Sequence, residues 1–178
     1  MIIIDNYFKH PDIIRNYALN EIEYNEPKKN DGWRGYRSNV LSMNNDFERE
    51  IILKICDTIE EKTNRKILES EIYFHCSPQK IMFEENDFHT MKWHNDFADY
   101  AGIIYLTPNP PKNSGTCIKN QDCIENFYNR FVAYPGKLIH GPDHLFGHDI
   151  DTTRMTVTMF LWFIDGDFND KRPPKRVY

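Results

Sequence analysis

Apolar and polar positions along the chain change their period once, near residue 68. Before that point the spacing is helical. Ile13, Ile14, Tyr17, Ala18 and Ile22 recur at helix spacing after Lys9-His10-Pro11-Asp12. There Pro11 suits a first turn and Asp12 suits the positive end of a helix. Ile51, Ile52, Ile55 and Ile59 form a second apolar stripe with Cys56 packed beside it. Asn45 is placed to cap this helix, Glu48 three residues on completes a capping-box pattern, and the helix is expected to end near Lys62-Thr63-Asn64. Ile2 to Ile4 reads as a short strand, and residues 24–38, polar and rich in Asn, Pro and Gly, as a loop.

Beyond residue 68 the period is two. Ile72, Phe74 and Cys76 alternate with Tyr73, His75 and Ser77, and Ile81 and Phe83 extend the pattern past Pro78. Further strands are expected at Ala101–Leu106, at Phe131–Tyr134, from Leu138-Ile139-His140, and at Met155–Ile164. A short helix carrying Ile124 and Phe127 is expected within 120–129, and a loop over 141–153. Strands and helices do not alternate, which argues against a doubly wound parallel sheet. The expectation is a mainly β chain, an antiparallel barrel or sandwich backed by helices from residues 10–63. It forms one domain over 1–165, with a polar tail over 166–178.

Composition narrows the class without naming a function. The chain has 178 residues, 40% of them hydrophobic and 14% aromatic, which places it among folded proteins. A formal net charge of -5 argues against a general nucleic-acid binder, although Lys171-Arg172-Pro173-Pro174-Lys175-Arg176 forms a basic tail. The apolar run Met159–Ile164 is far too short to span a membrane, and Met1-Ile2-Ile3-Ile4-Asp5 lacks the basic region of a secretory leader. The four cysteines share no CxxC spacing. They read as reduced thiols of a cytoplasmic chain, with a Cys117–Cys123 pair across a loop as the alternative.

Two segments carry chemistry. In Trp93-His94-Asn95-Asp96, an extended backbone turns His94 and Asp96 to one side. A further histidine would complete the two-His, one-carboxylate set that suits non-haem Fe(II). The candidates are His140, at a strand entry, and His144 and His148 on the loop after it; Asp99 is a spare carboxylate. A three-residue HxD pattern also arises by chance. The second segment opens the final strand, where Arg154, Thr156 and Thr158 share one face and Met155, Val157 and Met159 the other. An arginine fork matches a carboxylate, and Thr156 could support it. The competing reading is an edge strand with a solvated face.

The stretches Trp93-His94-Asn95-Asp96, Ala101 to Pro108, Gly115-Thr116, Asn129 to His140, and Arg154 onward resemble the iron- and 2-oxoglutarate-dependent dioxygenases, in particular small prolyl-hydroxylase-like members. The resemblance covers about half the chain and implies a double-stranded β-helix, the cupin-like jelly roll. It implies His94, Asp96 and His140 as ligands of Fe(II), and Arg154 as the anchor for the distal carboxylate of 2-oxoglutarate. The gap from His140 to Arg154 is longer than is usual in such proteins, and His144 would restore it. His140 is preferred because it ends the segment that matches. Tyr105 and Tyr134 could reach the cosubstrate or serve packing alone. Trp93 and Phe97 are expected to pack. His75 and His89 could line a groove or be structural, and Trp33, Arg34, Tyr36 and Arg37 could form a substrate lid or a surface loop. The implied reaction is hydroxylation of an unactivated C–H bond, on a peptidyl proline, a free amino acid or another small metabolite. The alternatives are a non-catalytic jelly-roll binding domain and a cupin-like metalloenzyme that does not use 2-oxoglutarate. The sequence leaves the oligomeric state open.

Overall fold

The computed structural model describes residues 1–27, 33, 35–79 and 93–166. Elements run β1 (Ile2–Ile4), α1 (Pro11–Asn20), β2 (Tyr24–Asn25), β3 (Tyr36–Ser38), α2 (Asp46–Thr63) and β4 (Ile67–Ser77). They continue with β5 (Tyr100–Tyr105), β6 (Thr116–Ile118), β7 (Cys123–Ile124), β8 (Phe131–Pro135), β9 (His140–Pro142) and β10 (Arg154–Phe163). The strands form a seven-stranded sheet, ordered β1-β8-β5-β10-β4-β3-β2, and a three-stranded sheet, ordered β7-β6-β9. Every pairing is antiparallel.

Strand alternation divides the large sheet into two environments. Ile72, Phe74, Cys76, Ile104, Met155, Val157 and Met159 pack with Ile14 and Ala18 of α1 and Ile51, Ile52, Ile55 and Ile59 of α2 in the main core. The other face brings Ala101, Ile103, Tyr105, Val132 and Tyr134 against Ile118 and Ile124 of the small sheet. The molecule is thus mainly β, with two sheets face to face and helices behind the larger one. β10 lies at the centre of that sheet, so the edge-strand reading of its polar face is excluded. Arg154, Thr156 and Thr158 point toward the small sheet, not solvent.

The α2 start matches half of its expected cap. The Asn45 side chain accepts from the backbone N–H groups of Phe47 and Glu48. Glu48 does not turn back to Asn45; its carboxylate accepts from the Ser42 N–H and the Tyr17 hydroxyl. Asn64 closes the helix in the left-handed region at φ 53°.

Three expectations are corrected. The expected loop over 24–38 contains β2 and β3, and β3 extends the large sheet by pairing Arg37 with His75. The expected helix within 120–129 is replaced by β7. Register sets Cys117 opposite Cys123 with their Cα atoms 4.0 Å apart, and the two are disulfide-bonded. The reduced-thiol reading therefore holds for Cys56 and Cys76 only, and the compartment argument built on it loses half its premise. No helix among the described residues is long and apolar enough to cross a membrane. Ile81, Phe83, Arg34, His89 and the basic tail lie outside the described residues.

Candidate metal and anion site

One backbone bridge assembles the histidine pair. The His94 N–H donates to the His140 carbonyl at 3.0 Å and the His140 N–H donates back at 2.8 Å. Residues exchanging both bonds stand directly opposite one another. The two imidazole rings accordingly lie 4.5 Å apart. The Asp96 N–H donates to the Gly136 carbonyl at 2.9 Å, which turns the carboxylate toward the same point. A Cβ on Gly136 would collide with the Ala98 carbonyl, so glycine is what lets this segment lie against the β8–β9 turn. The segment is also tied to β10. The Phe97 carbonyl accepts from Trp162 Nε1 at 2.8 Å, and Asp99 Oδ2 accepts from the Phe163 N–H at 2.9 Å.

Ligand atoms of His94, Asp96 and His140 all fall within 4.8 Å of one another. Asp96 Oδ2 lies 3.3 Å from His140 Nε2, and Asp96 Oδ1 lies 3.9 Å from His94 Nε2. His140 Nδ1 lies 2.9 Å from the Leu138 carbonyl oxygen, a contact that only a protonated Nδ1 can make as a hydrogen bond. In the neutral ring Nε2 is then a bare acceptor aimed at a carboxylate oxygen. Two acceptors at that distance repel unless a proton or a cation lies between them. Burial holds the pKa of His140 below its ordinary value, which favours the neutral ring. Burial also raises the Asp96 carboxyl to about 6, against the opposing pull of His94 and Arg37. A neutral imidazole with an oriented tautomer beside a costly buried carboxylate is a donor set that fits a divalent ion.

His144 is not at this point. It is exposed, and its Nδ1 contacts the Asn113 carbonyl and the Asp143 carboxylate. His148 lies on the exposed loop where its N–H meets Thr152. Asp99 is engaged with β10, away from the histidines. The expected competitors thus sit apart from the triad.

The triad and Arg154 line one cavity of about 150 Å³, together with Tyr134, Thr116, Thr158, His75, Arg37 and Trp33. Arg154 is 7% exposed. Its Nε donates to the Ser114 carbonyl at 3.2 Å and its Nη2 to Thr116 Oγ1 at 3.0 Å. Its guanidinium lies 5.2 Å from the centre of the Tyr105 ring. Among the described residues no carboxylate lies within ion-pair distance of it. A buried guanidinium whose partners are neutral oxygens is left with uncompensated charge, which an incoming anion can satisfy.

The supporting residues divide. Tyr134 lines the cavity and packs on the His140 ring at 4.7 Å. Tyr105 stands one step back. Its hydroxyl donates to Thr116 Oγ1 at 2.9 Å, so it positions the group that receives Arg154. Thr156 is not among the lining residues, because its hydroxyl is engaged with the His75 carbonyl and with Thr158. Nothing in the sequence marks Thr116 and Ser114 for the role of receiving Arg154. Their three-residue strand and its approach loop carry no periodic signal. No family model matches the chain, and comparison with curated proteins finds no relative.

Proposed function

We propose that this chain is an Fe(II)- and 2-oxoglutarate-dependent dioxygenase with the jelly-roll form of that superfamily, hydroxylating an unactivated C–H bond. One observation carries the reading. A triad suited to a divalent ion and a buried arginine that, among the described residues, meets no carboxylate line the same cavity. A metal site alone would fit many chemistries. A metal site sharing a pocket with a fixed guanidinium fits a cosubstrate that chelates at one end and carries a carboxylate at the other.

His94, Asp96 and His140 would hold the iron. Three protein donors leave coordination positions open, and iron in such a site supplies oxygen activation coupled to cosubstrate oxidation. The chain's own residues do the rest. Arg154 pairs with the distal carboxylate, and Thr116, held by Tyr105, keeps the guanidinium aimed. The Leu138 carbonyl fixes the His140 tautomer. The facing sheets, closed by Ile103, Val132 and Ile118, exclude water from the interior side.

The test is succinate formation from 2-oxoglutarate by the Fe(II)-loaded protein without a prime substrate. The reading expects slow, iron-dependent turnover that is lost in His94→Ala and strongly reduced in Arg154→Met. Metal binding with no turnover would favour a non-catalytic domain. Activity on another substrate that survives Arg154→Met would favour a metalloenzyme that does not use 2-oxoglutarate.

A further inference from the structure

The small sheet also has an outer face. Alternation along β6 turns Thr116 and Ile118 inward, to the cavity and its core, and Cys117 the other way. Register puts Cys123 of β7 on one side of Cys117 and Gly141 of β9 on the other. Residues directly opposite in a ladder share a face, and Gly141 sets no side chain beside the sulfur. The Asp143 N–H donates to the Gly115 carbonyl at 3.1 Å, which carries the β6–β9 pairing one step past β9. Asp143, two residues from Gly141, therefore faces the same way as Cys117 and Cys123.

These three side chains converge. A sulfur from each cysteine and a carboxylate oxygen of Asp143 lie within 4.8 Å of one another. The carboxylate is itself held. His144 Nδ1 lies 3.0 Å from Asp143 Oδ1 and 2.9 Å from the Asn113 carbonyl oxygen, so a proton on Nδ1 meets two oxygens. A carboxylate fixed from outside by an imidazole is oriented as metal-ligating carboxylates are.

Oxidised, the sulfurs are bonded to each other. Reduced, they supply two thiolates beside a carboxylate, a soft donor set that selects zinc-like ions. Ligand atoms around a tetrahedral zinc ion stand about 3.5 Å apart. The Cα atoms of Cys117 and Cys123 are 4.0 Å apart, so side-chain rotation alone can open the sulfurs to that spacing. Cys123 is exposed, which gives a reductant its point of attack.

We infer that Cys117, Cys123 and Asp143 form a second metal site, open to solvent at its fourth position, that takes a zinc-like divalent ion when the disulfide is reduced and releases it when the bond re-forms. The reductant is a dithiol. One of its sulfurs attacks Cys123, the S–S bond breaks, and Cys117 leaves as a thiolate. Its second sulfur then displaces Cys123, so the reductant ends as a disulfide and the chain as a dithiol. The ion displaces one proton from each thiol, and the reverse exchange with an oxidised dithiol expels it. This site shares no ligand with the proposed iron centre and stands whether or not that centre is catalytic.

The experiment is Co(II) titration of the full chain, oxidised and after reduction with a phosphine, followed by the thiolate-to-cobalt charge-transfer band in the near ultraviolet. Cobalt on the His94–Asp96–His140 triad has nitrogen and oxygen ligands and gives no such band. The folded, reduced chain is expected to develop the band with about one equivalent of Co(II) beyond the triad's, and the oxidised chain to show none. Cys123→Ser loses the band, and Asp143→Asn weakens the cobalt affinity behind it at least about tenfold. No band in the reduced chain, a band that survives Cys123→Ser, undiminished affinity in Asp143→Asn, or a disulfide that is reduced only on unfolding overturns the assignment. Asp143→Asn keeps both thiols, so it decides the matter should Cys123→Ser fail to fold.

Discussion

His140 and His144 are four positions apart, and one backbone bridge separates their fates. His140 is opposite His94, where its ring is buried, its tautomer is fixed by Leu138 and Nε2 faces Asp96. His144 is exposed on the loop beyond. At Asp96 the cost of burial has a measurable consequence. With the metal-free carboxyl raised to about 6, a proton competes with the ion below that pH. Zn(II) affinity, measured by chelator competition between pH 7.5 and 5, is expected to fall by at least about tenfold per unit once below 6, and more steeply where a histidine ligand must also give up a proton. The sign is opposite for the metal-free fold. Its Asp96 binds a proton more tightly than the unfolded chain does, so the burden of the buried carboxylate is present above pH 6 and relieved as pH falls toward 3.8. At this scale the sequence showed His94 and Asp96 together, because an extended backbone sends residues two apart the same way. It could not rank the later histidines, since their distance from His94 depends on a contact between segments more than forty residues apart. Thr156 stays off the cavity lining for a related reason. A shared strand face says which way a hydroxyl points, not that His75 and Thr158 engage it first.

Longer elements were legible, and so was the isoleucine run of β1, but most other short ones were not. α1, α2, β4, β5, β8 and β10 each repeat an apolar position often enough to declare their period. β2, β3 and β7 have two or three residues each and no period to show. Residues 120–129 read as helix because Ile124 and Phe127 are three apart. In the fold Ile124 enters the small sheet's core, while Phe127 is 53% exposed. The β8–β9 turn is where element geometry controls the site. Gly136→Ala is expected to displace the 94–99 segment, because the added methyl meets the Ala98 carbonyl and the turn must shift. The expected outcome is about 100-fold weaker Zn(II) binding at a loss of about 1–3 kcal/mol in stability, read by chelator competition and thermal melting. The disulfide braces the neighbouring β6–β7 hairpin, whose β6 strand also pairs with β9 and so supports His140 from outside the pocket.

Across the whole molecule, the large sheet does two jobs with two faces. Met155, Val157 and Met159 bind the helices through the main core, and Arg154, Thr158 and Phe160 of the same strand line the cavity. The centre of the sheet is the stiffest place to mount an anion site, because both neighbours of β10 are hydrogen-bonded strands. The sequence pointed to this arrangement through a polar face on an otherwise apolar strand, and to the general class through helices followed by strands. It did not disclose the split into seven- and three-stranded sheets, which depends on pairings between remote short strands. The central claim is that one cavity holds a divalent ion at the triad and a dicarboxylate at Arg154. Calorimetric titration of 2-oxoglutarate into the Mn(II)-loaded chain tests it most directly, against the metal-free chain and against Arg154→Met. The account predicts binding that requires the ion and weakens about 100-fold in Arg154→Met, while Mn(II) affinity is unchanged. Equal binding of 2-oxoglutarate with and without the ion, or undiminished binding in Arg154→Met, would contradict it.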